Sequence, residues 1–565
     1  MNYAIIAAGE GSRLRKEGFK SVKPLVQIKG EYLIERLIRI FKDNRAESIS
    51  IIINEESTEL KSYLDSKDWG VKINLIVKST PSSLHSFWNI IQNTGITECC
   101  LTTVDTIFNE RDFKEYISAF QTDRTVDALM GVTEYIDDEK PLYVQTDENN
   151  NILAFCDTKD AAADNKAASE ENNTAFDENN TPRQQNNTPD YFAETPYFSD
   201  KVSAGIYCLR NKAIDKADDC IKKNVSRMRN YQRSLIEANL KVKAFLFSKV
   251  IDIDHVEDIQ KAEKLLKQFN TKVLCLKRFK DYSPNSQDKD EQIITSVGEK
   301  LKKLGFGVEY KNETEVDFNK EYFPYVISMA RNPEVIKQLY AWQKKGSVII
   351  NSPSSCENCY REKQIRILQN NNISIPKTVI VSTDNDFEGI NNIKDFKSWW
   401  IKRGDFQTVE AIDVIKVSSL EKTKEILANY NSRGIKTAVI SENIDGDIVK
   451  FYGVRTSKDC GSGKETGEKT SSFFYMTYPT KDKFGEKINT SPDRIDFNVD
   501  KFKDECSAAA MLLDLEIYGG DAAIDTNGNF YIIDMNDFPS FSACKDLAAE
   551  SITDGFLNKY NMTIN

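Results

Sequence analysis

Between residues 1 and 104, short apolar runs alternate with amphipathic stretches. The runs are at residues 4–7 (Ala-Ile-Ile-Ala), 49–53 (Ile-Ser-Ile-Ile-Ile) and 73–77 (Ile-Asn-Leu-Ile-Val), and a typical amphipathic stretch is Leu33-Ile34-Glu35-Arg36-Leu37-Ile38-Arg39-Ile40-Phe41. Continuous apolar strands separated by helix-period segments predict a parallel sheet covered by helices. The pattern stops from about residue 157 to 200, where Asn-Asn-Thr recurs at 172, 179 and 186 and Pro182 and Pro189 interrupt it. Such a segment has no apolar positions to bury, so it predicts a disordered insertion in a surface loop. Order resumes at residues 202–209 and closes with a strand at 249–252 and a helix over 256–269. A second α/β pattern has strands at 273–276 and 347–350 with a helix over 293–304, and from 351 onward helices alternate with strands at 377–381, 399–402 and 530–533. The expected domains are therefore 1–268, with 157–200 as the insertion, then 271–350 and 351–565.

A hydrophobic content of 40% with 29% charged residues describes a multidomain globular chain. The 76 basic and 87 acidic side chains leave a net charge of −11, with no long basic stripe to neutralise nucleic-acid phosphates. No apolar run approaches the ~20 residues of a membrane span, and the first residues lack the basic region of a signal peptide, so a cytoplasmic location is expected. The 11 cysteines are scattered, which predicts reduced thiols, and Cys356-x-x-Cys359 has no second pair at zinc spacing. His85 and His255 are the only histidines, which excludes a multi-histidine metal site. Any catalytic ion is then Mg²⁺ held by carboxylates.

The first strand runs into Ala8-Gly9-Glu10-Gly11-Ser12-Arg13, and Lys23-Pro24-Leu25 follows before an amphipathic helix. Glycines after a strand let backbone N–H groups approach phosphates at a helix N-terminus. Arg13 and Lys23 can then flank an α-phosphate and stabilise charge in an in-line displacement, with Ala8, Gly9 and Gly11 as nucleotide-binding positions. A dinucleotide fingerprint is excluded, because its third glycine would fall at Leu14.

These residues resemble the sugar-phosphate and phospho-alcohol nucleotidyltransferase family over most of residues 1–268. Further matches are Thr102-Thr103-Val104-Asp105, Ser203-Ala204-Gly205-Ile206-Tyr207 and Ile251-Asp252-Ile253-Asp254. The resemblance implies a Rossmann-like nucleotidyltransferase domain in which Asp105 and Asp252 bind Mg²⁺, with Asp254 the rival second ligand. It also implies that Lys23 and Arg13 stabilise the α-phosphate while a phosphorylated acceptor attacks and pyrophosphate leaves. Ser82 and His85 fall where such enzymes place a loop contacting base or ribose. Arg227 and Arg229 offer two guanidinium groups to an acceptor phosphate. The small phospho-alcohol acceptors of this family often go with CTP, which makes CTP the favoured NTP.

Near the C-terminus, an Asn527-Gly528 turn between apolar runs predicts a tight hairpin. Asp521 and Asp534 would then meet at one end, and with Asn536 they could hold Mg²⁺ through oxygen ligands. This arrangement resembles the ATP-grasp superfamily, whose acid, acid and Asn metal triad maps onto Asp521, Asp534 and Asn536. The likeness extends upstream through Asn351-Ser352-Pro353, Arg361-Glu362-Lys363 and Ile375-Pro376-Lys377-Thr378, which look like glutathione-synthetase-type and ribosomal-protein-modifying ligases and like inositol phosphate kinases of this fold. It implies a small α/β pre-ATP-grasp domain followed by an α+β ATP-grasp domain. In that domain Lys402 would contact phosphate, Glu442 and Ile444 would lie at the adenine hinge, and Lys450 would reach phosphate or substrate.

The expectation is a bifunctional α/β enzyme with two Mg²⁺ sites. One half transfers a nucleotidyl group from an NTP to a small phosphorylated acceptor; the other uses ATP to phosphorylate that acceptor's precursor. Two alternatives stay open: the second half is a carboxylate–amine ligase, or one half is a non-catalytic nucleotide-binding module. Homo-oligomerisation is open as well.

Overall fold

The structure, a computed structural model, describes residues 1–9, 11–136, 140–159, 201–282, 287–384, 387, 390–455, 471–477 and 494–564. The stretch 160–200, most of the expected insertion, lies outside the described residues. The insertion's first residue, Asp157, belongs to the folded part, since its carboxylate pairs with Arg229 and Arg233, each at 2.8 Å. The chain divides into two compact units, Met1–Asn270 with Lys303–Gly305, and Thr271–Lys302 with Phe306–Asn565. Among the described residues no helix is long and apolar enough to cross a membrane, and the cysteines are free.

The first unit is built on a nine-stranded sheet. Along one side of it four parallel strands lie together in the order Lys72–Val77, Ser48–Ile53, Asn2–Ala7 and Glu98–Thr103, with Lys72–Val77 at the edge. Chain order runs outward from Asn2–Ala7 to Lys72–Val77 and then jumps to the other side, so the topology switches direction between Asn2–Ala7 and Glu98–Thr103. Val202–Arg210 pairs antiparallel with Glu98–Thr103 and extends the sheet. Alternate side chains of the first strand enter opposite cores, Tyr3 and Ile5 packing with Leu37 and Phe41, Ala4 and Ile6 with Leu84 and Phe87. Burial on both faces is why these strands read as unbroken apolar runs. Each large aliphatic chain so buried stabilises the fold by roughly 1.5–3 kcal/mol.

Among its described residues the second unit holds three four-stranded sheets. One is parallel, in the order Gly307–Asn312, Lys272–Lys277, Tyr325–Ser328 and Val348–Ile350. Two are antiparallel: Thr378–Ser382, Thr437–Glu442, Trp399–Arg403 and Val414–Val417, then Ser471–Thr477, Gly446–Arg455, Ile517–Asp525 and Phe530–Asp537.

Strand pairing is close at Gly520, where a Cβ would lie 2.1 Å from the Asp534 carbonyl oxygen and 2.7 Å from Phe451 Cζ. Backbone cannot yield as a flexible side chain does, so Gly520→Ala should destabilise the second unit by about 3 kcal/mol. Scanning calorimetry should find that unit's transition lowered and the first unit's unmoved.

Candidate active sites

In open α/β sheets, ligands bind beyond the carboxyl ends of strands where the topology switches direction. Here that crevice lies between the loop after Asn2–Ala7 and the turn after Glu98–Thr103, which carry the Gly9–Gly11 segment and Asp105 respectively. Gly9 has nothing within 4 Å of the place a Cβ would occupy. Gly11 adopts φ 60°, ψ 33°, a left-handed conformation open to glycine, and a Cβ there would sit 3.3 Å from Lys23 Cβ. The helix that follows, Ser12–Lys16, is only five residues long. Positive charge at this loop therefore comes mainly from side chains, a departure from the expected helix-terminus cradle.

Asp105 and Asp252 are far apart in the chain and adjacent in space. A short antiparallel pair, Thr106–Ile107 with Ile251–Asp252, sets Asp252 opposite Thr106, and the Ile253 N–H donates to the Asp105 carbonyl at 3.2 Å. The Lys23 ammonium binds the Asp105 carboxylate directly and donates to Asp254 Oδ1 at 2.8 Å, while Arg13 Nη1 donates to Asp254 Oδ2 at 2.7 Å. Asp254 is itself anchored, its N–H donating to Asp258 Oδ2 at 3.0 Å. Burial alone would lower the Lys23 pKa, but Asp105 and then Asp254 outweigh it and raise it. Asp252 is exposed at its own surface, yet desolvation by the protein around it, followed by the charge of Asp105, moves its pKa upward.

Three carboxylates face two cations here, a donor set of hard oxygens that suits Mg²⁺. Among the described residues no three His, Cys, Asp or Glu side chains converge as a complete cage. Mg²⁺ ordinarily takes one or two carboxylates and fills the rest of its shell with phosphate oxygens and water. The pair Asp105 and Asp252 fits that demand.

The expected acceptor arginines are placed differently from the crevice cations. Arg229 is turned to Asp157 at 2.8 Å and to the Lys140 carbonyl at 2.9 Å. Arg227 is exposed at the N-cap of Met228–Glu237, and its N–H donates to Ser82 Oγ at 3.4 Å. Ser82 Oγ also lies 2.9 Å from His85 Nδ1, which joins the 82–85 loop to Arg227.

In the second unit, strand register places Lys450 opposite Asp521 and Asp521 opposite Asp534, a row across three strands. Asn536 follows two residues beyond Asp534 on the same face. Lys450 Nζ lies 3.2 Å from Asp521 Oδ1. The hairpin closes less tightly than a two-residue turn, because the Asp525 carboxylate accepts the N–H groups of Asn527 and Asn529, both at 2.9 Å. Lys402 donates to the Ile533 carbonyl at 2.8 Å, and burial drives its pKa down to about 8 against the pull of Asp534, with Arg361 pushing the same way as burial. Glu442 pairs with Trp399, and Lys402 with Val439, which puts Glu442 roughly 10 Å further along the strand. Ile444 follows just past the strand end.

Arg361 belongs with this group although its segment, Arg361-Glu362-Lys363, carries no expected role. It opens the helix Arg361–Asn370 and is 6% exposed. Its Nη2 donates to Thr408 Oγ1 at 2.8 Å and stands 3.7 Å from Asp534 Oδ2, while Nε and Nη1 are buried without a hydrogen-bond partner. Unpaired buried donors of a charged group are costly, and phosphate oxygens would satisfy them. Lys402, Lys450 and Arg361 outnumber Asp521 and Asp534, a balance of net positive charge.

Residues 3–268 match the family model for nucleotidyl transferase, so the N-terminal half carries a nucleotidyltransferase domain. No curated protein sequence matches the chain. Among solved structures, the chain is similar to the inositol-1-phosphate CTP transferase from T. maritima, at 16% identity over 46% of this chain and 96% of that one, with a TM-score of 0.35. It is also similar to HddC from Yersinia pseudotuberculosis, at 17% identity over 47% of this chain and 99% of that one, with a TM-score of 0.33.

Proposed function

We propose that the protein is a bifunctional enzyme. Its N-terminal half transfers a nucleotidyl group from an NTP, CTP being favoured, to a small phosphorylated alcohol or sugar and releases pyrophosphate. Its C-terminal half, with 271–350 as a small α/β portion and 351–565 as an ATP-grasp domain, uses ATP to phosphorylate the precursor of that acceptor. The observation that carries the first assignment is the meeting of Lys23, Arg13, Asp105 and Asp252 at the switch point of the parallel sheet. The row Lys450, Asp521 and Asp534, flanked by the buried Lys402 and Arg361, supports the second.

Asp105 and Asp252 in one half, and Asp521, Asp534 and Asn536 in the other, would hold Mg²⁺, which would supply Lewis-acid neutralisation of phosphate oxygens. The chain's own groups do the rest. Ala8, Gly9 and Gly11 let backbone approach the triphosphate, and Lys23 and Arg13 hold positive charge against the α-phosphate as an acceptor phosphate oxygen attacks phosphorus and pyrophosphate departs in line. In the second half, Lys402, Lys450 and Arg361 orient the ATP phosphates, and the strand end at Glu442 and Ile444 borders the adenine.

Incubation with Mg²⁺ and each NTP against phospho-alcohols, sugar phosphates, polyols and amino acids, with pyrophosphate and ADP followed separately, tests this. Pyrophosphate from one NTP–acceptor pair and ADP from that acceptor's unphosphorylated precursor are expected. ADP only when a carboxylate and an amine are supplied together would make the second half a ligase. Neither product would end the enzymatic reading and favour a binding module.

A further inference from the structure

One ammonium group bridges the carboxylates of the first site. Lys23 Nζ is shared between Asp105 and Asp254, and the Lys23 and Asp105 side chains are 13% and 17% exposed. A cation that touches two carboxylates at once occupies the ground a divalent ion needs, so the apo site already has its counter-charge. Lys23 is also held from behind. It begins the short helical turn Lys23–Leu25, with Pro24 next to it, and its Cβ lies 3.3 Å from the place a Cβ on Gly11 would occupy. The turn sets where the Lys23 side chain starts, and its flexible four-carbon stem lets Nζ reach more than one partner.

Two demands then fall on one movement. Lys23 can reach an α-phosphate only by leaving Asp105, and Asp105 can offer a free oxygen to a metal only once Lys23 has left. A metal ion arriving alone must break a largely desolvated ion pair, whereas a triphosphate offers Lys23 a new anionic partner. We propose that Lys23 is the resident counter-ion of the Asp105 site, and that a divalent cation binds tightly there only when a nucleoside triphosphate draws the Lys23 ammonium away. The proposal rests on Asp105 being a metal ligand. Lys450 stands against Asp521 in the same way on an unrelated sheet, so the arrangement recurs in the second unit. Because linkage is reciprocal, the metal must favour nucleotide binding by the factor with which nucleotide favours metal.

The test is Mn²⁺ binding to nucleotide-free full-length protein, read by the electron paramagnetic resonance of free Mn²⁺, in an Asp521→Asn background that weakens the second site. Lys23→Met should tighten binding at least tenfold, and Lys23→Gln, a check against misfolding of the first variant, should act in the same direction. Lys23→Arg, which keeps the charge, should leave binding weak. Adding Asp105→Asn to Lys23→Met should abolish the gain. Unchanged or weaker binding in both Lys23→Met and Lys23→Gln, with binding still lowered by Asp105→Asn, would overturn the counter-ion role and leave Asp105 as a ligand. Binding indifferent to Asp105 in every variant would overturn both.

Discussion

Asp105→Asn is expected to lower pyrophosphate formation by about three orders of magnitude while ADP formation continues at the parent rate. The amide is isosteric, and the backbone bond from the Ile253 N–H to the residue 105 carbonyl is untouched, so the Thr106–Asp252 pairing should survive. What disappears is one of two charged ligands for the ion and one of two anions holding Lys23. Charge stabilisation by a metal is worth several kcal/mol at the transition state, and each 1.36 kcal/mol is tenfold in rate, which gives the stated loss. The mirror variant, Asp521→Asn, should stop ADP formation and spare pyrophosphate release. Separate coupled assays on purified variants check both. If either substitution silences both reactions in a folded protein, the two halves do not act as independent sites.

Lys402→Met should remove ADP formation by at least a hundredfold and at the same time stabilise the second unit. A buried ammonium pushed from 10.5 down to about 8 is being held against its preference. At about 1.36 kcal/mol for each power of ten, and discounted for partial exposure, its charge costs about 2–3 kcal/mol of stability at neutral pH. The sign follows from proton counting. Between about pH 8 and 10.5 the unfolded chain keeps the Lys402 proton that the folded chain has released, so stability should rise with pH across that window and the full cost should be present below it. Thermal melts from pH 7 to 10 should reveal this slope in the parent and its loss in Lys402→Met. A variant no more stable than the parent at pH 7 would mean that Asp534 and the Ile533 carbonyl already compensate the charge.

Much of the framework was legible because parallel strands buried on both faces leave unbroken apolar runs, and 49–53 coincides with most of Ser48–Ile53. Asp105 was legible for a related reason, since residues just after such strands fall at the sheet's carboxyl edge, and Lys23 was legible from the Lys23-Pro24-Leu25 segment that follows the glycine loop. Pairings set by register could not be read. Whether Asp252 or Asp254 would meet Lys23 depends on a two-residue pairing with Thr106–Ile107, and Asp254 proved to hold both Lys23 and Arg13. Arg361 fell within the segment Arg361-Glu362-Lys363 without a role attached to it, since an arginine at the start of a helix is usually solvated and its burial with a bond to Thr408 is set by the fold. Arg229 looked available because its partner Asp157 stands where the composition turns polar, and composition does not tell a strand-end carboxylate from the first residue of an insertion.

The clip between Thr106 and Asp252 joins residues 146 positions apart. Asp105 leaves the ribosome early, just after the fourth of the parallel strands, whereas Asp252 belongs to nearly the last segment of that unit. A nascent chain halted after the Val242–Phe247 strand would have every strand of the large sheet yet present one carboxylate of the pair. Synthesis thus builds in a delay: the nucleotide loop and the first acidic ligand are made long before the site can be completed. Chains cut short before Ile251 would carry a sheet without a finished crevice.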